Sequence, residues 1–201
     1  MADIQELVSL ISETQQFFKQ QAQRQVNTAL TLRNWLFGFY IAEYELNGSD
    51  RAVYGEKIYK EIAFRSKHVS GLSERNLYLF KSFYLAYPNI LQSVTAKLYL
   101  KEIQHVGILR TVSAKLDGIT CQAIETTNSD ETKIFQTLSG KSQIEADKLI
   151  NQLSFTHIIE LLKADTPLKR SFYEMEAIKN CWSVRELQRA MNSLLFERTG
   201  Y

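Results

Sequence analysis

Proline and glycine are scarce in this chain, with two and eight copies in 201 residues. An all-β protein needs turn residues about every 8 to 12 positions, so that class is excluded and a mainly helical fold is expected. Cysteine is equally sparse. Cys121 and Cys181 have no second cysteine two to four residues away, which excludes a disulfide scaffold and leaves each as a small buried or indifferent thiol. His68, His105 and His157 are scattered, so neither a metal set nor a cofactor is implied. Also missing is any uncharged apolar run of about 18 residues, and Met1 to Glu6 has neither a basic segment nor an apolar one of the kind a leader needs. The expected location is the cytoplasm. An excess of one charge is absent too: 24 Lys and Arg face 22 Asp and Glu, a net of +2. That balance excludes a polybasic binder, so any nucleic-acid contact must come from a local face.

What is present is ordinary for a globular protein, 45% hydrophobic and 23% charged, and long enough for a well-buried core. From Asp3 to about Leu46 the positions Ile4, Leu7, Val8, Ile11, Phe18, Ala22, Ala29, Leu32, Leu36 and Phe39 recur at three and four. This predicts one long helix or a helix hairpin over residues 1–46, with the polar run Lys19 to Gln25 as the place for a break. Part of the stripe also fits a 3.5-residue repeat, interrupted at Gln15 and Gln25, which allows pairing with another helix.

Residues 54–88 predict a helix-turn-helix. Tyr54, Ile58, Ile62 and Ala63 mark a short amphipathic helix, Val69 to Leu72 a Gly-containing turn, and Ser73 the cap of a second helix with core positions Leu77, Phe80 and Tyr84. Pro88 follows its end. Residues 89–150 form a variable segment in which Ile119 to Ile124 fits a strand, so one small β-hairpin, or a wing, belongs to the expectation. Helical pattern returns over residues 153–199, with Ser154 as a cap and Pro167 as a first helical residue. Ser183-Val184-Arg185-Glu186 is a capping box, and Val184, Leu187, Met191, Leu194 and Leu195 are the expected buried stripe behind it. The whole of 1–201 reads as one domain.

No catalytic apparatus is legible. Glycine-rich phosphate loops, nucleophile elbows and paired metal-binding histidines are all absent. Asp117 with Glu131-Thr132-Lys133 imitates a nuclease metal set, but Glu131 and Lys133 fall in a polar stretch with no strand to fix their geometry. The capped helices carry more. Arg75, Tyr78, Lys81 and Ser82 fall away from the Leu77/Phe80 stripe and form a short basic and aromatic face near a helix N-terminus. Arginine can bind guanine or phosphate through two hydrogen bonds, Asn76 can pair with adenine, and the helix end favours an anion. The plain alternative is a solvated helix face. On the last helix Arg185 and Arg189 share a face, where Arg189 can instead pair with Glu186.

Several runs in order resemble one family. Leu72-Ser73-Glu74-Arg75-Asn76-Leu77 with Phe83-Tyr84 and Tyr87-Pro88, Leu153-Ser154-Phe155-Thr156-His157, Phe172-Tyr173, and above all Trp182-Ser183-Val184-Arg185-Glu186-Leu187-Gln188-Arg189 are similar to the N-terminal domain of the YhcG-type family of predicted PD-(D/E)XK nucleases. The resemblance implies a winged-helix-like DNA-binding module, followed in the family by a nuclease domain that would lie beyond Tyr201. It therefore implies a targeting domain without its own metal site, a C-terminal nuclease domain as partner, and duplex or branched DNA as ligand. The expected DNA contacts are Lys67, His68, Arg75, Asn76, Tyr78, Lys81, Arg185 and Arg189, with Arg75 and Asn76 as base readers. Trp182, Phe172 and Tyr173 are expected in the core. The rival reading is a protein-interaction module, in which the N-terminal helices form a homodimer and position nuclease domains.

Overall fold

The computed structural model describes residues 3–47, 55–93 and 146–199. The described residues are helical, with no strand among them; the candidate strand at Ile119 to Ile124, and Asp117, Glu131, Lys133 and Cys121, lie outside them. The chain divides into two compact units, one made of residues 1–86 and 151–201 and the other of residues 87–150.

In the first unit α1 (Ile4–Asn47) is one unbroken helix. The polar run Lys19 to Gln25 does not interrupt it, because glutamine, lysine and arginine are good helix formers and no Pro or Gly stands there. Its two halves differ in environment. Residues 3–27 are exposed throughout, whereas Leu32, Trp35, Leu36, Phe39 and Ala42 are buried. The expected core positions Ile4, Leu7, Val8, Ile11 and Phe18 thus face solvent.

Helix α2 (Gly55–Arg65) and α3 (Glu74–Ala86) pack with the second half of α1. Leu77, Phe80 and Phe83 form the inner face of α3, each at most 2% exposed, while Tyr84 is only half-buried. Gly38 explains how close α1 and α3 come. A Cβ at this position would run into the Phe80 carbonyl, so the two backbones touch where no side chain can fit. Ile41, Ile58, Tyr59, Leu77 and Phe80 form the resulting core cluster.

Four C-terminal helices follow: α4 (Phe155–Leu161), α5 (Pro167–Lys179), α6 (Val184–Asn192) and α7 (Leu195–Arg198). Phe155 joins α4 to α3, its ring centroid 5.3 Å from Phe80 and 5.8 Å from Phe83. Tyr173 is fully buried; its hydroxyl donates to the Ala190 carbonyl at 3.4 Å and accepts from the Phe196 amide at 3.2 Å. Trp182 and Phe172 are half-buried. Of the stripe expected on the last helix, Leu187 is buried, but Leu194 is 53% exposed. The helix breaks there into α6 and α7, with Leu194 in the left-handed region at φ 54°.

In the second unit the described residues are the 3-10 turn Pro88–Gln92, Ser93 and helical residues 146–150. Ile90, Leu91, Leu149 and Ile150 are buried.

Candidate nucleic-acid interface

Local chemistry sets α3 in place. The Asn76 amide donates to the Ser73 hydroxyl at 3.3 Å, so Ser73 caps the helix as the sequence suggests. Asn76 also turns its side-chain amide back onto the Gly71 carbonyl at 2.9 Å. Gly71 has φ +87°, the backbone geometry that a glycine takes without strain. Asn76 thus holds the turn ahead of α3. Eight residues separate Arg65 from Glu74, more than the three or four of a tight helix-turn-helix.

The polar side chains of α3 go to two places. Lys81 is ion-paired with Glu45 of α1, and Tyr59 of α2 donates its hydroxyl to the same carboxylate at 2.7 Å. Burial first, and then Glu45, hold the Tyr59 phenol protonated well above its usual range. Tyr78 stacks on Tyr59 with centroids 3.8 Å apart. Tyr78 and Lys81 therefore tie α3 to α2 and α1. Arg75 and Ser82 face the surface, and the exposed edge of Tyr78 lies beside them.

Arg75 borders two hollows. One lies along α3 itself, over Ser73, Glu74, Tyr78, Leu79 and Ser82. The other, of about 560 Å³, is a cleft with Arg75, Leu79, Ser82 and Leu85 on one wall and Ile159, Leu162, Lys163 and Arg170 on the other. Three cationic side chains thus meet in one concavity, drawn from α3, the end of α4 and the start of α5. Lys163 is also paired with Glu160 at 2.6 Å. Burial pushes the Glu160 carboxyl up, but hydrogen bonds from Lys163 and Gln188 and the Lys163 charge outweigh it and hold the group below its usual range. Glu160 therefore stays ionised and fixes Lys163 at the rim.

Arg170 reaches the cleft because Thr166 accepts from the Lys169 amide at 3.2 Å and starts α5 there. Lys169 itself binds Glu197 of α7 at 2.6 Å. Pattern reading missed Lys163 and Arg170, since neither shares a helix with Arg75. The one available signal was the Thr166-Pro167 start, which puts two cations in the first turn of α5.

The other expected contacts lie elsewhere. Lys67 sits over the Phe64 ring at 4.3 Å, and His68 is exposed in the turn before α3. Arg185 and Arg189 are exposed on α6, outside the cleft lining, with Arg189 lowering the Glu186 carboxyl beyond what its Ser183 hydrogen bonds do. A larger hollow of about 770 Å³ between α1 and α2 is lined mainly by Phe37, Tyr40, Ile41, Tyr44 and Ile58, and its Arg65 is paired with Glu61 at 2.5 Å. With Lys57 and Arg65 against Glu61 its lining holds a single surplus positive charge, fewer than the cleft, and a phosphate backbone requires several. No group of three metal-binding side chains occurs among the described residues, and no described helix is long and apolar enough to cross a membrane.

Comparison with known proteins gives the setting for this geometry. The chain is 31% identical over 180 residues, 88% of its length, to a protein of Escherichia coli (strain K12) named "Putative nuclease YhcG". It spans 41% of the length of that relative. No solved structure matches. The model of the DUF1016 N-terminal domain matches residues 7–106 and again residues 101–198. This helical chain, with its Ser183 capping box and its cationic cleft, belongs to the DUF1016 N-terminal domain family, as a YhcG-type N-terminal domain.

Proposed function

We propose that this domain is a non-catalytic DNA-binding module that targets a nuclease domain. The observation that carries the reading is the convergence of Arg75, Lys163 and Arg170 on one cleft beside the capped start of α3. A phosphate backbone needs several cations within one contact surface, and a helix N-terminus adds oriented amides. Arg75 is the base-reading candidate, while Lys163 and Arg170 contact phosphate. Asn76 and Lys81 hold the helix in place, while Tyr78 stacks on Tyr59 and borders the hollow along α3. The nuclease name borne by the relative agrees with a DNA partner, and the role presupposes the cytoplasmic location expected from the sequence.

Fluorescence anisotropy of the full chain against duplex, single-stranded and branched DNA, at two salt concentrations without metal, tests the reading. Binding is expected to weaken steeply with salt. Lys163→Ala with Arg170→Ala should lower affinity and reduce the salt slope by about two, near 0.9 for each lost phosphate contact. A folded protein that binds no DNA form overturns the proposal. A second reading, a protein-interaction module, is favoured by the exposed first half of α1.

A further inference from the structure

Leu79 and Leu85 of α3, with Ile159 and Leu162 at the end of α4, share the cleft with its three cations. Charge alone does not account for them. A phosphate backbone is met by Lys, Arg and hydroxyl groups, and four aliphatic side chains give its oxygens nothing to bind. All four keep contact with solvent: Leu85 is 60% exposed, and Leu79, Ile159 and Leu162 are half-buried. Apolar walls beside cations, with no acid among the described lining residues, suit a ligand that is flat and apolar in one part and anionic in another.

Shape selects the form of DNA. A recognition helix enters a major groove about 12 Å wide, which one helix about 10 Å across fills. Here the face of α3 that carries Arg75 is one wall of a hollow, and α4 and α5 supply the other. A continuous duplex therefore meets two helices where its groove has room for one. The hollow can instead receive a group that stands out from the nucleic acid. Its volume of about 560 Å³ lies inside the roughly 300–1,000 Å³ of sites that enclose a small organic ligand, the class to which a single nucleotide belongs. Bases outside the stack are held between apolar or aromatic side chains and read along their hydrogen-bonding edge. Leu79 and Leu85 face Ile159 and Leu162 in that manner, with Arg75 for the base edge and Lys163 and Arg170 for the neighbouring phosphates.

We infer that this cleft takes one unpaired nucleotide of DNA, its base between α3 and α4 and its flanking phosphates on Lys163 and Arg170. The inference rests on the DNA-binding reading above and deepens it by naming the form of DNA. A fully paired duplex must break a pair before a base can enter, whereas a bulge, gap or branch point offers the base already unpaired.

Anisotropy of the full chain with two duplexes of one sequence, one fully paired and one carrying a single bulged 2-aminopurine, tests it. The bulged duplex is expected to bind about tenfold more tightly or better. Its 2-aminopurine should brighten on binding, because the base exchanges stacked neighbours for aliphatic ones. Leu85→Ser changes no charge and lies at an exposed position. It should keep the fold and the affinity for paired duplex while reducing both the preference and the brightening. A single strand with the same 2-aminopurine separates the two sources of an unpaired base: equal binding there means that flanking duplex adds nothing, and weaker binding that it contributes phosphates. A preference that survives Leu85→Ser overturns the inference. Equal affinity for bulged and paired duplexes overturns it too and leaves DNA binding standing, whereas a folded protein that binds neither overturns both.

Discussion

Cys181 occupies a backbone position that its own side chain opposes. The Trp182 amide donates to the Ala177 carbonyl at 3.0 Å and the Cys181 amide to Ile178 at 3.4 Å, a pair of bonds that closes α5 with a left-handed residue between them. That residue is Cys181, at φ 51°. Glycine takes this conformation freely, whereas an L side chain there costs about 1–2 kcal/mol. Cys181→Gly should stabilise the protein by about 0.5–1 kcal/mol after the extra freedom glycine gains in the unfolded chain is counted. The urea midpoint should rise with an unchanged slope. The thiol is exposed, so it has no packing to lose. The reading of Cys181 as a buried or indifferent thiol narrows to the second term.

At the scale of elements, the join of α1 to α3 depends on Gly38. Glycine inside a helix ordinarily costs about 1 kcal/mol relative to alanine, so propensity alone predicts that Gly38→Ala is stabilising. Here the added methyl meets the Phe80 backbone, which cannot rotate away as a side chain can. The prediction is therefore reversed: Gly38→Ala should destabilise by about 1–3 kcal/mol, in the range of overpacked cores. Leu30→Ala, on an exposed position of the same helix, is the control and should change little. The same helix shows where sequence pattern stops. Caps are local, so Ser73, Thr166 and Ser183 could be read directly, and with them the starts of α3, α5 and α6. Burial is not local. The apolar repeat of α1 is as regular at Ile4 and Val8 as at Leu32 and Leu36, yet only the second pair finds a core. Lys81 looked like a free cation because its partner Glu45 stands 36 positions earlier. The site divides in the same way: Arg75 was legible on its helix face, whereas Lys163 and Arg170 join it only through the packing of α4 and α5 beside α3.

For the molecule as a whole, acid sensitivity should originate at His157. Helix α4 packs with α1, α3, α5 and α6, so the cap that starts it supports both the N-terminal and C-terminal halves of the unit. His157 serves as the third residue of that cap, in place of the usual Glu or Gln, and this substitution hid the box from pattern reading. Its Nδ1 accepts from the Ser154 amide at 3.2 Å, while Nε2 lies 3.0 Å from the Trp182 carbonyl. Both contacts are satisfied by one form, the neutral ring with its proton on Nε2. A second proton on Nδ1 would turn to the Ser154 hydroxyl, 2.7 Å away, and leave the Ser154 N–H without its acceptor. Burial lowers the His157 pKa, and the Trp182 carbonyl opposes that shift only in part. A depressed histidine binds its proton more readily in the unfolded chain, so stability must rise with pH across this window. The contribution is complete above the ordinary histidine value of about 6.5 and is lost as pH falls through the lower folded value. Glu160, Glu186 and Glu197 are also held below their usual range, and their losses begin only at more acidic pH. Urea unfolding at about pH 7.5 and about pH 5 therefore isolates the histidine. The native protein should show a lower midpoint at the acidic pH. His157→Gln keeps an acceptor for the Ser154 amide but cannot titrate, so its midpoint should move less between the two conditions. An equal shift in both proteins would place the acid sensitivity elsewhere.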